Sequence, residues 1–203
     1  MMILGVTGPT GSGKTTLLRR IEARGGCVLD LDAVYHELLE RDPALTEALE
    51  RRFPGTVRDG VLDRRALGRI VFADRDALED LNRITGTFIL AETDRRLLAA
   101  EADGKDLAAI DAINLLEGEL PARCRYTVAV VAPVEDRVKR IMARDGISEE
   151  YARLRISAQQ PGEYFSARCD LTLWNDAATE AEFSARCDAL LDRLLTHGKD
   201  ETA

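Results

Sequence analysis

The sequence predicts a three-layer α/β/α fold on a five-stranded parallel sheet, carrying a helical insertion and a helical lid. Three observations predict it. Apolar runs of strand length at residues 2–6, 27–32, 106–113, 126–131 and 171–174 are separated by amphipathic helical patterns. Between residues 42 and 104 helical patterns follow one another with no strand signal. The first strand also runs directly into GPTGSGKT at residues 8–15 and then into the helix-forming run TLLRRI.

Strand, glycine-rich loop and helix in that order form a phosphate-binding P-loop. Gly11 and Gly13 let backbone amides turn inward without a Cβ in the way, and the following helix presents its positive end, so the donors form a nest for an anion. In such a nest Lys14 reaches the β and γ phosphates and Thr15 offers its hydroxyl to Mg²⁺.

Gly25-Gly26 punctuates the chain before the second strand, whose end carries Asp30 and Asp32, two apart and on one side of an extended backbone. Ligands of open α/β sheets bind beyond the carboxyl ends of the strands, so Asp32 reads as an acid facing the phosphates. It reads equally as the N-cap of a helix over residues 33–40. His36 on that helix reads as a surface residue.

In the insertion, Asp42 caps a helix opening on Pro43, with Leu45, Leu49 and Phe53 inward, and Asp59-Gly60 makes a turn. Asp63 caps a helix to residue 72 with Leu67, Ile70 and Val71 inward. Asp74 opens a long segment through Leu97 and Leu98, with a kink expected at Gly86.

Residues 106–113 form the third strand, and Asp111 near its end reads either as a Walker B-like acid or as a plain strand-end carboxylate. After the fourth strand, Pro133 starts a helix with Val134, Val138, Ile141 and Met142 as its buried stripe. Arg137, Arg140 and Arg144 share its other face, and Ser148 caps the next helix, the outline of a lid whose arginines close over a nucleotide. A fifth strand ends at Trp174, read as core rather than an adenine platform, and Asn175-Asp176 turns out of it. Thr179 and Glu182 form a capping box on the last helix, whose inward face is Phe183, Cys187, Leu190, Leu191 and Leu194. His197 carries no signal.

Composition narrows the function classes. A formal charge of −8 disfavours nucleic acid and anionic membranes as partners, although residues 123–155 carry eight basic against five acidic side chains. That local cationic strip suits a small polyanion. Four cysteines without a C-x-x-C pair argue against a zinc site or a disulfide framework and read as core thiols. The chain opens on a strand with no basic leader, and no apolar run approaches membrane-spanning length, so a soluble, cytoplasmic protein with no obligate protein partner is expected.

Taken together, ILGVTGxxGSGKTT (residues 3–16), VLDLD (28–32), LDRxxLxxIVFAD (62–74), RIMARDGISEE (140–150) and RIxxQ (155–159) resemble the dephospho-CoA kinases, over nearly the whole chain. The resemblance implies a P-loop NTPase fold and transfer of the γ-phosphoryl of ATP to the ribose 3′-hydroxyl of dephospho-CoA, with Mg²⁺. It implies that Gly11, Ser12, Gly13, Lys14, Thr15 and Thr16 bind the ATP phosphates, with Thr15 on the metal. Asp32 matches the acid acting on the acceptor hydroxyl, and Arg140 and Arg144 match lid arginines. It also implies one kinase domain with a core (residues 1–32, 105–135 and 165–203), an acceptor-binding insertion (33–104) and a lid (136–164). The chain departs from the family pattern in three places: Asn114 replaces a usual Pro, Gly86-Thr87 replaces His-Pro, and Phe165 stands where a basic residue is usual. They leave open another hydroxyl acceptor, or an ATP-binding regulator without turnover.

Overall fold

The computed structural model describes residues 1–200, with side chains described through Thr196, so His197 lies outside the described side chains. The elements in chain order are β1 (Met2–Thr7), α1 (Lys14–Ala23), β2 (Cys27–Asp30), α2 (Leu31–Arg41), α3 (Pro43–Arg52), β3 (Val57–Arg58), β4 (Val61–Leu62), α4 (Arg64–Val71) and α5 (Arg75–Ala102). They continue with β5 (Leu107–Asp111), a single 3-10 turn (Pro121–Arg123), β6 (Tyr126–Val131), α6 (Val134–Asp145), α7 (Glu149–Ser157), α8 (Gly162–Ser166), β7 (Leu171–Trp174) and α9 (Glu180–Asp200). The chain divides into two compact units, residues 30–99 and the remainder.

The larger unit is built on the expected five-stranded parallel sheet, in the order β2-β5-β1-β6-β7. β1 is central, pairing with β5 from Met2↔Leu107 to Val6↔Asp111 and with β6 from Leu4↔Tyr126 to Thr7↔Ala129. Its strands read as near-continuous apolar runs because both faces are covered. On one face Leu4, Val6, Val128, Val130 and Leu173 pack with Leu17 and Ile21 of α1 and with Phe183, Cys187, Leu190, Leu191 and Leu194 of α9. On the other, Ala129 and Val131 pack with Phe165 of α8. At α9 one half of the expected capping box is formed, Thr179 Oγ1 accepting from Glu182 N at 3.2 Å, while Glu182 Oε2 reaches back one residue further than expected, to Ala178 N at 3.1 Å.

Side-chain orientation differs from the expectation at several places. Trp174 is 50% exposed, because the alternation along β7 turns Leu171 and Leu173 toward the core and Trp174 away from it. β5 stops at Asp111, two residues short, and Ile113 is exposed. Val134 lies exposed in the first turn of α6, while Val138 and Ile141 pack with Ala152 of α7. Of the four cysteines only Cys187 is a core thiol, pushed up to about 12 by burial; Cys27, Cys124 and Cys169 are half-buried.

In the smaller unit, Asp42 and Asp63 cap α3 and α4 as expected, accepting from Ala44 N at 2.9 Å and Ala66 N at 2.9 Å. A two-stranded hairpin interrupts the helices, with Asp59 (φ 50°) and Gly60 (φ 77°) as its two-residue loop. The Asp-Gly turn was legible, but strands of two residues are too short to show alternation. Leu39, Leu45, Leu49, Phe53, Leu67, Val71 and Ala77 form the unit's core. Ile70, expected inward, lies exposed on α4, and Leu98 on α5 does the same. α5 is helical through Gly86, where nothing lies within 4 Å of the position a Cβ would take.

Candidate active site

The loop between β1 and α1 is shaped by its glycines. Gly8 has φ 139°, and a Cβ there would run into the carbonyl oxygen of Val130 on the neighbouring strand. Gly13 has φ 106° and is the N-cap of α1, so no side chain caps the helix's first N–H groups. Those donors and the helix dipole suit an anion. A Cβ on Gly13 would meet the Asn175 side-chain amide, so Gly13→Ala is expected to weaken nucleotide binding at least tenfold while the circular dichroism of the chain is unchanged, read by calorimetric titration with ATP.

The loop's carbonyl oxygens are taken from behind. Arg137 Nε donates to Thr10 O at 2.8 Å, Arg140 Nη1 to Gly11 O at 3.2 Å, and Asn175 Nδ2 to Ser12 O at 2.8 Å. Arg140 Nη2 also donates to Asn175 Oδ1 at 3.1 Å, linking α6 to the end of β7. Gln159, just beyond α7, accepts from Thr10 N at 3.0 Å and donates to Thr10 Oγ1 at 3.1 Å. With its carbonyls engaged on one side, the loop leaves the N–H groups of Gly11 and Gly13 without a protein acceptor among the described residues. The Ser12 hydroxyl is buried and without a partner among the described residues. Lys14 Nζ reaches across the loop to Gly8 O at 2.7 Å. Such a cradle of amides, one ammonium and one orphaned hydroxyl matches the donor set a polyphosphate requires.

The sequence-predicted residues therefore fall into three groups. Gly11, Ser12, Gly13, Lys14, Thr15, Thr16 and Arg140 are brought together at the loop, with Thr15 exposed in the first turn of α1. Arg144 is turned to Asp145, at 2.7 and 3.0 Å, and Arg155 shares that carboxylate at 2.6 Å. The Arg144 guanidinium, with Arg155 second, holds Asp145 down at about 2. Asp32 belongs to the smaller unit. β2 ends at Asp30, two residues earlier than expected for a strand carrying both acids, and Asp30, not Asp32, is the N-cap, accepting from Asp32 N at 3.0 Å and Ala33 N at 3.2 Å. Asp32 is thus in the first helical turn, exposed, with a carboxylate that accepts no hydrogen bond among the described residues.

Three contributors were not singled out from sequence. The sequence places Arg137 in an arginine stripe, Gln159 in a motif, and Asn175 at the end of the last strand and in the turn that follows, with no role at the loop for any of them. Asn175 carried one usable signal, a polar residue directly after a strand in a sheet whose carboxyl ends bind ligands. The departures are also placed. Asn114 and Phe165 line a cleft of about 220 Å³ that Gly8, Thr10, Gln159 and Tyr164 also border.

Comparison with known proteins decides the family. The family model described as dephospho-CoA kinase matches residues 2–181. The chain belongs to the dephospho-CoA kinase family. A dephospho-CoA kinase of Burkholderia lata is 35% identical over 199 residues, 96% of this chain and 96% of the relative. A dephospho-CoA kinase of Thermus thermophilus is 38% identical over 181 residues, 88% of this chain and 85% of the relative. Among solved structures, a Thermus thermophilus protein superposes with a TM-score of 0.72 at 35% identity, covering 97% of each chain. Shikimate kinase from Bacteroides thetaiotaomicron, at 14% identity and a TM-score of 0.55, shares the fold, covering 95% of this chain and 98% of that one. The match to the dephospho-CoA kinase family thus runs from the loop through α2–α5 to α6, α7 and α8.

Proposed function

We propose that this chain transfers the γ-phosphoryl group of ATP to the ribose 3′-hydroxyl of dephospho-CoA, giving CoA and ADP, the last step of coenzyme A biosynthesis. The observation that carries the reading is a family match over residues 2–181 that includes an intact phosphate cradle. In the reaction the acceptor oxygen forms a bond to the γ-phosphorus, the bond from that phosphorus to the β,γ-bridging oxygen breaks, and the hydroxyl proton leaves toward a base. Asp32, whose exposed carboxylate accepts no hydrogen bond among the described residues, is the proposed base or orienting acid. Lys14 and the amides of residues 11–16 hold the phosphates. Arg140 acts through the loop carbonyls it grips, and Arg144 is a lid cation. Thr15 is the protein oxygen that would hold Mg²⁺, which when bound would supply positive charge against the phosphates. Among the described residues there is no group of three or more His, Cys, Asp or Glu side chains placed to hold a metal ion.

Residues 33–104 are proposed to bind the acceptor and residues 136–164 to close over the nucleotide. The proposed setting is the cytoplasm, without nucleic acid, membrane or an obligate protein partner. No helix among the described residues is long and apolar enough to cross a membrane. The test is steady-state ADP release with Mg-ATP and a panel of hydroxyl acceptors. Dephospho-CoA is expected to give the highest kcat/KM. A faster acceptor of another class, or nucleotide binding with no turnover of any acceptor, would overturn the assignment.

A further inference from the structure

Arg137 is the buried arginine of α6 and α7: Arg140 also meets only neutral acceptors among the described residues, Gly11 O and Asn175 Oδ1 included, but is half-buried. Arg144, Arg153 and Arg155 each hold a carboxylate within 2.8 Å. Arg137 is only 2% exposed and has no carboxylate at ion-pair distance among the described residues. Its guanidinium meets neutral acceptors instead, Thr10 O at 2.8 Å and Gln159 Oε1 at 3.4 Å. Gln159 in turn holds the Thr10 amide and hydroxyl, so two side chains, Arg137 and Gln159, close a ring on one loop residue. The backbone is tight as well, since a Cβ on Gly11 would lie 3.0 Å from Arg137 O.

A buried cation without a counter-ion is costly, and burial pushes this guanidinium below its ordinary value. Neutral hydrogen bonds offset part of that cost. An anion settling on the other side of the loop would offset more of it. Here the loop's N–H face is the phosphate side, and its carbonyl face carries Arg137.

We propose that Arg137 is a positioning residue: it fixes Thr10 and supplies a permanent positive charge behind the phosphate loop, which a bound polyphosphate compensates without touching it. This rests on the reading of residues 8–15 as the triphosphate cradle, but not on the identity of the acceptor. A purely structural latch would depend on the forked geometry of arginine and would leave phosphate affinity unchanged in any variant that folds. A charge-supplying residue makes the opposite prediction, because lysine retains the charge and glutamine retains only polar reach.

Calorimetric titration of the full chain with inorganic tripolyphosphate separates these. Arg137→Gln is expected to lose about tenfold in affinity, and Arg137→Lys threefold or less. In turnover Arg137→Gln is expected to raise the KM for ATP by a similar factor and leave kcat at saturating ATP within twofold. Affinity within twofold of the parent for Arg137→Gln, or an equal loss for the lysine variant, would overturn the proposal. Should Arg137→Gln fail to fold, Arg137→Lys carries the test alone, a tenfold loss overturning it. Failure of the unsubstituted chain to bind tripolyphosphate would instead strike the reading of the loop itself.

Discussion

Replacing Lys14 by Ala is expected to lower the affinity for Mg-ATP by at least a hundredfold and to leave no measurable phosphoryl transfer. The ammonium sits at the mouth of a cradle otherwise made of neutral amides, 2.7 Å from Gly8 O, and it is half-buried. A charged donor to a phosphate in a partly desolvated site contributes more than a neutral one, and removing one member of such a pair costs about 2–5 kcal/mol. The fold should survive, because α1 is anchored by Leu17, Leu18 and Ile21 against the sheet. Titration with ATP, together with a thermal melt of the same variant, checks both statements.

Asp32→Asn is expected to behave differently: ATP affinity within about threefold of the parent, and kcat lower by about 10²–10⁴, the range for loss of a positioned acid or base. The substitution conserves shape at an exposed side chain that holds no protein partner among the described residues. The helix start is also spared, since the cap is Asp30. Equal loss of ATP binding in the Lys14 and Asp32 variants would contradict the separate roles assigned to them. A variant at Asp30, by contrast, should cost about 1 kcal/mol of stability through loss of the N-cap.

Features carried by short-range chemistry were legible in the sequence. The loop announces itself because glycines at set positions between a strand and a helix have few other uses, and the caps at Asp42, Asp63 and Thr179 follow from local hydrogen bonding. The parallel sheet was legible because strands buried on both faces are apolar throughout. That same uniformity hid which way Trp174 points, since one residue of register reverses a side chain and Leu171, Leu173 and Trp174 are all apolar. The choice between Asp30 and Asp32 as the cap turned on where extended backbone gives way to helix, a boundary of one residue.

Long-range contacts to the loop were not legible at all. Arg137 reaches Thr10 across 127 positions and Asn175 reaches Ser12 across 163, and neither contact leaves a periodicity. Helical spacing put Arg137, Arg140 and Arg144 in one stripe. The structure distributes them between two uses. Arg137 and Arg140 grip loop carbonyls, and Arg144 holds Asp145. Only the tertiary packing of α6 against the loop separates them, through the close approach of Gly11 to the α6 backbone.

The central claim is that the cradle at residues 8–15 hands a phosphoryl group to the ribose 3′-hydroxyl of dephospho-CoA. Phosphorus NMR of a reaction containing the purified chain, Mg-ATP and dephospho-CoA tests it most directly. The account predicts that a new 3′-phosphomonoester resonance grows in step with ADP, one for one. ADP accompanied only by inorganic phosphate, or an unchanged spectrum from folded protein that binds ATP, would contradict it.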